Sequence, residues 1–109
     1  MTPDALRSFV LSMPEAIEQD HHGSPSFRVR GKIFCTVKPD GSRLMVKLAG
    51  EDQHNFVEAH PGTITPVPGY WGKKGSTLVN MSEAPVGLIE PLLELAWRTA
   101  APKALLRRS

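Results

Sequence analysis

Cations make up most of the residues whose types and spacing could do chemistry. From Ser26 to Ala49 the chain carries Arg28, Arg30, Lys32, Lys38, Arg43 and Lys47 against Asp40 alone, a local balance of +5 in a protein of net charge +2. Phe27 and Val29 alternate with Arg28 and Arg30, and Leu44, Val46 and Leu48 alternate with Arg43, Met45 and Lys47. On extended strands that pattern puts the apolar residues on one face and the cations on the other. Cross-strand neighbours lie about 5 Å apart, so a crowded cationic face is relieved by a polyanion. Lys73 and Lys74, beside Tyr70 and Trp71, extend the patch as a wing, because lysines contact phosphates and aromatic rings stack on bases. The predicted nucleic-acid-binding set is therefore Arg28, Arg30, Lys32, Arg43, Lys47, Lys73 and Lys74. A plainer reading competes with it: solvent-facing strand positions carry Lys and Arg for solubility and edge protection. The Tyr70–Trp71 pair is likewise expected in the core or at a strand end, since large aromatics bury most of their area.

Other chemistries find less support. His21 and His22 follow Asp20, but adjacent side chains diverge in an extended loop, and neither a Cys pair nor an HExxH frame accompanies them, so no metal is expected. Cys35 lies among apolar residues and reads as an inert buried thiol. Ser24 and Ser26 lack a nucleophile-elbow context, and Glu15, Glu18 and Asp20 fall in a turn expected to face solvent. Gly69, Gly72 and Gly75 precede no expected helix, so they form no phosphate-cradling loop. No catalytic residue, metal or cofactor is predicted, and the chain reads as non-enzymatic.

The elements that must position the cations follow from turn and periodicity signals. Thr2 as N-cap, Pro3 and Asp4 begin a helix with Leu6, Phe9 and Val10 on one face, and Pro14 stops it. Residues 14–20 read as a connecting turn. Ser26–Arg30 and Lys32–Val37 form a hairpin about Gly31, and Pro39-Asp40-Gly41-Ser42 turns the chain into a third strand, Arg43–Leu48. Glu51–Ala59 is a short helix with Phe56 and Val57 inward. Thr63–Gly69, with two prolines, suits an edge strand, Tyr70–Gly75 a loop, and Ser76–Met81 the last strand. A final helix runs from Ser82 or Glu83 to about Ala101 with Pro91 near its start, and Leu105–Ser109 reads as a frayed basic tail. The predicted fold is a two-layer α+β domain: a single five-stranded antiparallel sheet with three helices on one face, in the order α-β-β-β-α-β-β-α. If the acidic segments are helices and the basic ones strands, the domain has an acidic and a basic side.

Its 109 residues suit one domain, 1–109. The 40% hydrophobic and 22% charged content is that of a folded globular protein. Apolar runs fall far short of the ~20 residues needed to cross a bilayer, and the N-terminus lacks a secretory pattern. The expected setting is cytoplasmic with no membrane contact, and the expected state a monomer.

The residues also resemble a known family, MmcQ/YjbR. The resemblance rests on His22-Gly23-Ser24-Pro25-Ser26-Phe27-Arg28-Val29-Arg30-Gly31-Lys32-Ile33-Phe34, on Leu44-Met45-Val46-Lys47-Leu48 and on Gly69-Tyr70-Trp71-Gly72-Lys73-Lys74-Gly75. It covers nearly the whole chain, and the order and spacing of the motifs are more specific than any one of them. It implies a bacterial-type, one-sheet domain with helices on one side, shaped like secretion chaperones, with a proposed double-wing mode of DNA binding and many uncharacterised members. Ser76 departs from it, because some relatives carry tryptophan there, which puts any aromatic role at that position in doubt. Two functions of different classes follow. The first is binding of nucleic acid, double-stranded DNA in particular, through the basic sheet face. The second is a protein-interaction or chaperone-like module that offers Thr63–Val67 as an exposed edge to a protein partner.

Overall fold

Thr2 starts the first helix as its composition requires. In the computed structural model, which describes residues 1–107, the Thr2 hydroxyl oxygen accepts the Ala5 N–H at 3.1 Å. Helix α1, Pro3–Leu11, then buries Leu6 and Val10. Six strands and four further helices follow: β1 Ala16–His21, β2 Ser24–Val29, β3 Lys32–Val37, β4 Arg43–Lys47, α2 Gly50–Ala59, β5 Ile64–Pro66, α3 Tyr70–Lys73, β6 Ser76–Asn80, α4 Val86–Ala100 and α5 Lys103–Leu106. The strands form one antiparallel sheet in the order β1-β2-β3-β4-β6-β5. The α+β class and the single antiparallel sheet agree with expectation.

The sheet has six strands rather than five because residues 14–20 are not a connecting turn. Ala16–His21 pairs along its length with β2, from Ala16 opposite Val29 to His21 opposite Ser24. His22 and Gly23 link β1 to β2, and Arg30 and Gly31 link β2 to β3, with φ of 53°, 85°, 51° and 83°. Positive φ at both central positions marks the two-residue turns whose twist matches a hairpin. His-Gly and Arg-Gly lack the Asn or Asp that advertises such turns, which hides the first hairpin from a sequence reading. The acids of residues 14–20 therefore sit on or beside an edge strand, not on a helix, whereas those of 50–60 lie on α2, as charge patterning implied.

Helices also exceed the three expected, with five among the described residues. The predicted loop at Tyr70–Gly75 contains the single turn α3. The predicted frayed tail contains α5, whose Leu105 is 1% exposed and joins the core; Arg108 and Ser109 lie outside the described residues. α5 follows Pro102, and burying one leucine, worth about 1.5–3 kcal/mol, fixes so short a turn where propensity alone would not.

Sheet alternation sorts the side chains. Phe27, Val29, Leu44, Val46, Val79 and Ile64 point inward and meet Leu6 and Val10 of α1 and Ile89, Leu92, Leu93 and Ala96 of α4 in one buried cluster. A bulge refines this order: Phe27 faces Cys35, yet Arg28 faces Ile33, leaving Phe34 as the extra residue. Phe34 and Cys35 are both buried, while Ile33 and Thr36 flank them at intermediate exposure. Trp97 is 3% exposed and donates its indole N–H to the Pro14 carbonyl at 3.0 Å, tying α4 to the segment after α1. Among the described residues no helix is long and apolar enough to cross a membrane.

Candidate functional site

The face of the sheet turned away from this core carries Arg28, Arg43 and Lys47, as alternation dictates. It also carries apolar residues that the charge pattern obscured. Register sets Ile17 opposite Arg28, Arg28 opposite Ile33, Thr36 opposite Met45 and Met45 opposite Leu78. The outward face is thus an apolar strip with cations around it, not a uniformly basic surface. An open concavity of about 760 Å³ reaches from Arg28, Thr36 and Met45 to Trp71 on α3 and Thr99 on α4.

The structure divides the seven predicted cations. Arg28, Lys32 and Lys47 share the lining of this concavity. Arg28 is half-buried, and its Nε–H is shut off from solvent with no hydrogen-bond partner among the described residues. Lys32 is exposed, and Lys47 is half-buried with its Nζ 5.1 Å from the centre of the Trp71 ring. None of the three forms an ion pair among the described residues, where the pairs are Arg7–Glu18, Arg30–Glu15 and His54–Glu58.

Arg30 stands apart. It sits in the β2–β3 turn and holds Glu15 in a forked pair, Nε to Oε1 at 2.6 Å and Nη2 to Oε2 at 2.8 Å. The hydrogen bond and charge of Glu15 raise its pKa from the ordinary value. Sequence alternation alone could not show this, because Glu15 is brought alongside by the unexpected strand β1. Arg43 is exposed opposite Asn80, beside a separate hollow of about 300 Å³ lined by Thr63 and Thr65. Lys73 and Lys74 are exposed on α3 and at its C-cap, and the Lys74 Nζ lies 5.5 Å from the Tyr70 ring centre.

Tyr70 and Trp71 overturn the expectation that they pack in the core or at a strand end: they are 63% and 59% exposed. Their rings meet edge to face at 5.2 Å. The backbone beneath them is firmly held. A Cβ on Gly72 would stand 1.8 Å from the Val67 carbonyl oxygen, and one on Gly75 2.1 Å from that of Leu48, so only glycine permits both approaches. Gln53 of α2 reaches across with its side-chain amide, donating toward the Gly72 carbonyl at 2.9 Å, the Ser76 carbonyl at 3.2 Å and the Thr77 hydroxyl at 3.0 Å. Sequence reasoning misses Gln53, because a lone glutamine carries no signal. The glycines at 72 and 75 are the available clue, since a loop pressed that tightly to its neighbours has no room beneath it for two large rings. Gly69 does precede a helix after all, but α3 is a single turn of four residues.

The remaining candidates look different in three dimensions. The rings of His21 and His22 do not diverge but touch edge to face at 4.6 Å. Among the described residues no three His, Cys, Asp or Glu side chains are grouped as metal ligands. Cys35 is buried, and desolvation pushes its thiol well above the ordinary range, which disfavours the thiolate a nucleophile needs. Ser76 is 3% exposed opposite Lys47 on the neighbouring strand, leaving Trp71 to supply the aromatic surface at this end of the concavity.

This arrangement is an antiparallel α+β fold with one sheet face covered by helices and the other carrying a cation-edged apolar strip. The chain belongs to the YjbR family, whose model matches residues 11–99. Its fold is similar to the crystal structure of a Deinococcus radiodurans protein of the domain family DUF419, with a TM-score of 0.80 at 22% identity over 98% of this chain and 86% of that one. No curated protein matches.

Proposed function

We propose that this chain is a non-catalytic domain that binds nucleic acid through the outward face of its sheet and the adjoining α3 turn. The observation that carries the reading is the convergence of Arg28, Lys32 and Lys47, none paired with a carboxylate among the described residues, on the concavity that Trp71 also lines. Cations beside an exposed ring supply the two contacts a nucleic acid offers, phosphate charge and base surface. With so few phosphate contacts, binding is weak, sensitive to salt and low in sequence specificity.

The test measures binding of a labelled oligonucleotide, as duplex and as single strand, at ~50 mM salt, where phosphate contacts are strongest. Arg28→Met combined with Lys47→Met is expected to weaken binding about tenfold and to flatten the salt dependence by roughly one to two in log–log slope. Arg30→Met, which removes a cation already held by Glu15, is expected to change it less than twofold. Failure of the unaltered protein to bind either form overturns the reading, as does an equal loss in the double variant and in Arg30→Met.

A second reading is a protein-interaction module, and the sheet edges favour it. Strand β5, the predicted edge, spans three residues and ends at Pro66, which blunts it against strand addition. Strand β1 is a longer edge of six residues with Ile17 47% exposed, the better place for an added strand. Capture of a single protein that survives nuclease treatment and is lost on Ile17→Lys supports this reading over the first.

A further inference from the structure

Three features bear on what kind of nucleic acid this surface takes, an inference that rests on the reading above. The rings of Tyr70 and Trp71 are more than half exposed on a turn fixed by Gly72, Gly75 and Gln53. Two of the converging cations, Arg28 and Lys47, are half-buried within a hollow rather than raised above a flat surface. The hollow's exposed lining is mainly apolar, with Ile33, Met45 and Val67.

From this geometry we infer that the preferred ligand is a single-stranded segment, laid along the concavity with a base stacked against Trp71 and backbone phosphates at Arg28 and Lys47. Duplex DNA keeps its bases stacked on one another and presents a convex wall of phosphates, which an exposed indole cannot use and recessed cations reach poorly. An unpaired strand is narrow enough to enter the hollow, and it has base faces free for an aromatic platform. Its bases also cover apolar surface that otherwise faces water. The Arg28 guanidinium, half-buried in the wall of the hollow, gives the strand an anchor. Its Nε–H is shut off from solvent, so a phosphate oxygen entering the hollow meets the terminal Nη groups, which supply a charge-assisted hydrogen bond. The side chain is also positioned for this by the bulge, which turns Ile33 outward beside it. The backbone that carries Trp71 is held before binding by the Gly72 approach and Gln53, so little ordering of the turn opposes association.

The two tryptophans make the test direct, because Trp97 is buried and Trp71 exposed. Intrinsic fluorescence is followed while a 12-residue oligothymidylate, or a blunt duplex of equal length, is added at ~50 mM salt, where phosphate contacts are strong. The expected result is quenching by the single strand, with affinity at least tenfold above that of the duplex. Trp71→Phe keeps a smaller platform but abolishes the quench, leaving the signal of Trp97. Trp71→Ala weakens single-strand binding about tenfold, the scale of one lost stacked base, while Arg28→Met weakens it and lowers its salt dependence. Oligouridylate run in parallel tells whether RNA serves as well as DNA. Duplex binding equal to or tighter than single-strand binding, or strand binding that leaves Trp71 unquenched and ignores Trp71→Ala, overturns the inference while the broader reading stands. Absence of binding by both forms overturns the two together.

Discussion

The two faces of the sheet are made from the same strands by the same alternation, yet they have opposite fates. On the inward side Phe27, Val29, Leu44 and Val46 are at most 1% exposed beneath α1 and α4. On the outward side Arg28, Thr36, Met45 and Lys47 keep intermediate exposure, and Ile17 and Trp71 are largely in solvent. Apolar content does not separate them, since Ile17, Ile33, Met45 and Leu78 would suit a core. What separates them is whether a helix stripe of matching shape lies opposite. Folding uses up the binding capacity of one face and leaves that of the other available to a ligand.

Substitutions on the two faces should break this comparison if it is wrong. Phe34→Ala removes a ring from the closed side, where the bulge leaves little freedom to collapse, and is expected to cost ~3–5 kcal/mol in denaturant unfolding. Met45→Ala, its counterpart on the open side, is expected to cost about 1 kcal/mol or less. Similar losses at both sites would mean that folding depends on the outward face no less than on the inward one.

A smaller effect is expected at the rim. Gly72→Ala forces a methyl against the Val67 carbonyl and should cost about 1–3 kcal/mol. It should also displace α3, so that the emission of Trp71 shifts while that of Trp97 does not. The converse pattern would show that the α3 turn is not held by that close approach.

The smallest effect lies at the far end of the hairpin, where the Asp40 carboxylate accepts the Ser42 N–H at 2.9 Å and its hydroxyl at 2.7 Å. Those bonds hold its pKa below the ordinary 3.8. A carboxyl depressed in the folded state stabilises above its unfolded value and loses that contribution as pH falls through the folded one. Asp40→Asn should therefore lower the melting temperature slightly at pH 7, and the gap should narrow as pH falls below the ordinary Asp value and through the lower folded one. A gap that persists at pH 2 would assign the effect to the turn's shape rather than its charge.

Much of this was legible because it is local. Thr2 capping α1, the Pro39–Ser42 turn and the alternation in β2 and β4 each follow from residues within a few positions of one another. Strand β1 escapes a sequence reading for the opposite reason: Glu18 and Asp20 look like loop residues until β2 lies beside them, and Glu18, opposite Phe27, is matched by Arg7 of α1. The candidate site was legible in type but not in membership. Arg28 and Arg30, two positions apart, differ in their surroundings because one points into a hollow and the other meets Glu15 across a hairpin.

By itself the sequence determined the class of fold, the inward face and the presence of a cationic strand region, because backbone alternation and turn chemistry are set by near neighbours. Only the tertiary structure decided which cations converge, that Phe34 fills a bulge, and that Tyr70 and Trp71 stand in solvent. Those outcomes depend on what lies opposite each side chain across the sheet, and on a glycine-deep contact with Val67 that leaves two rings no interior to enter.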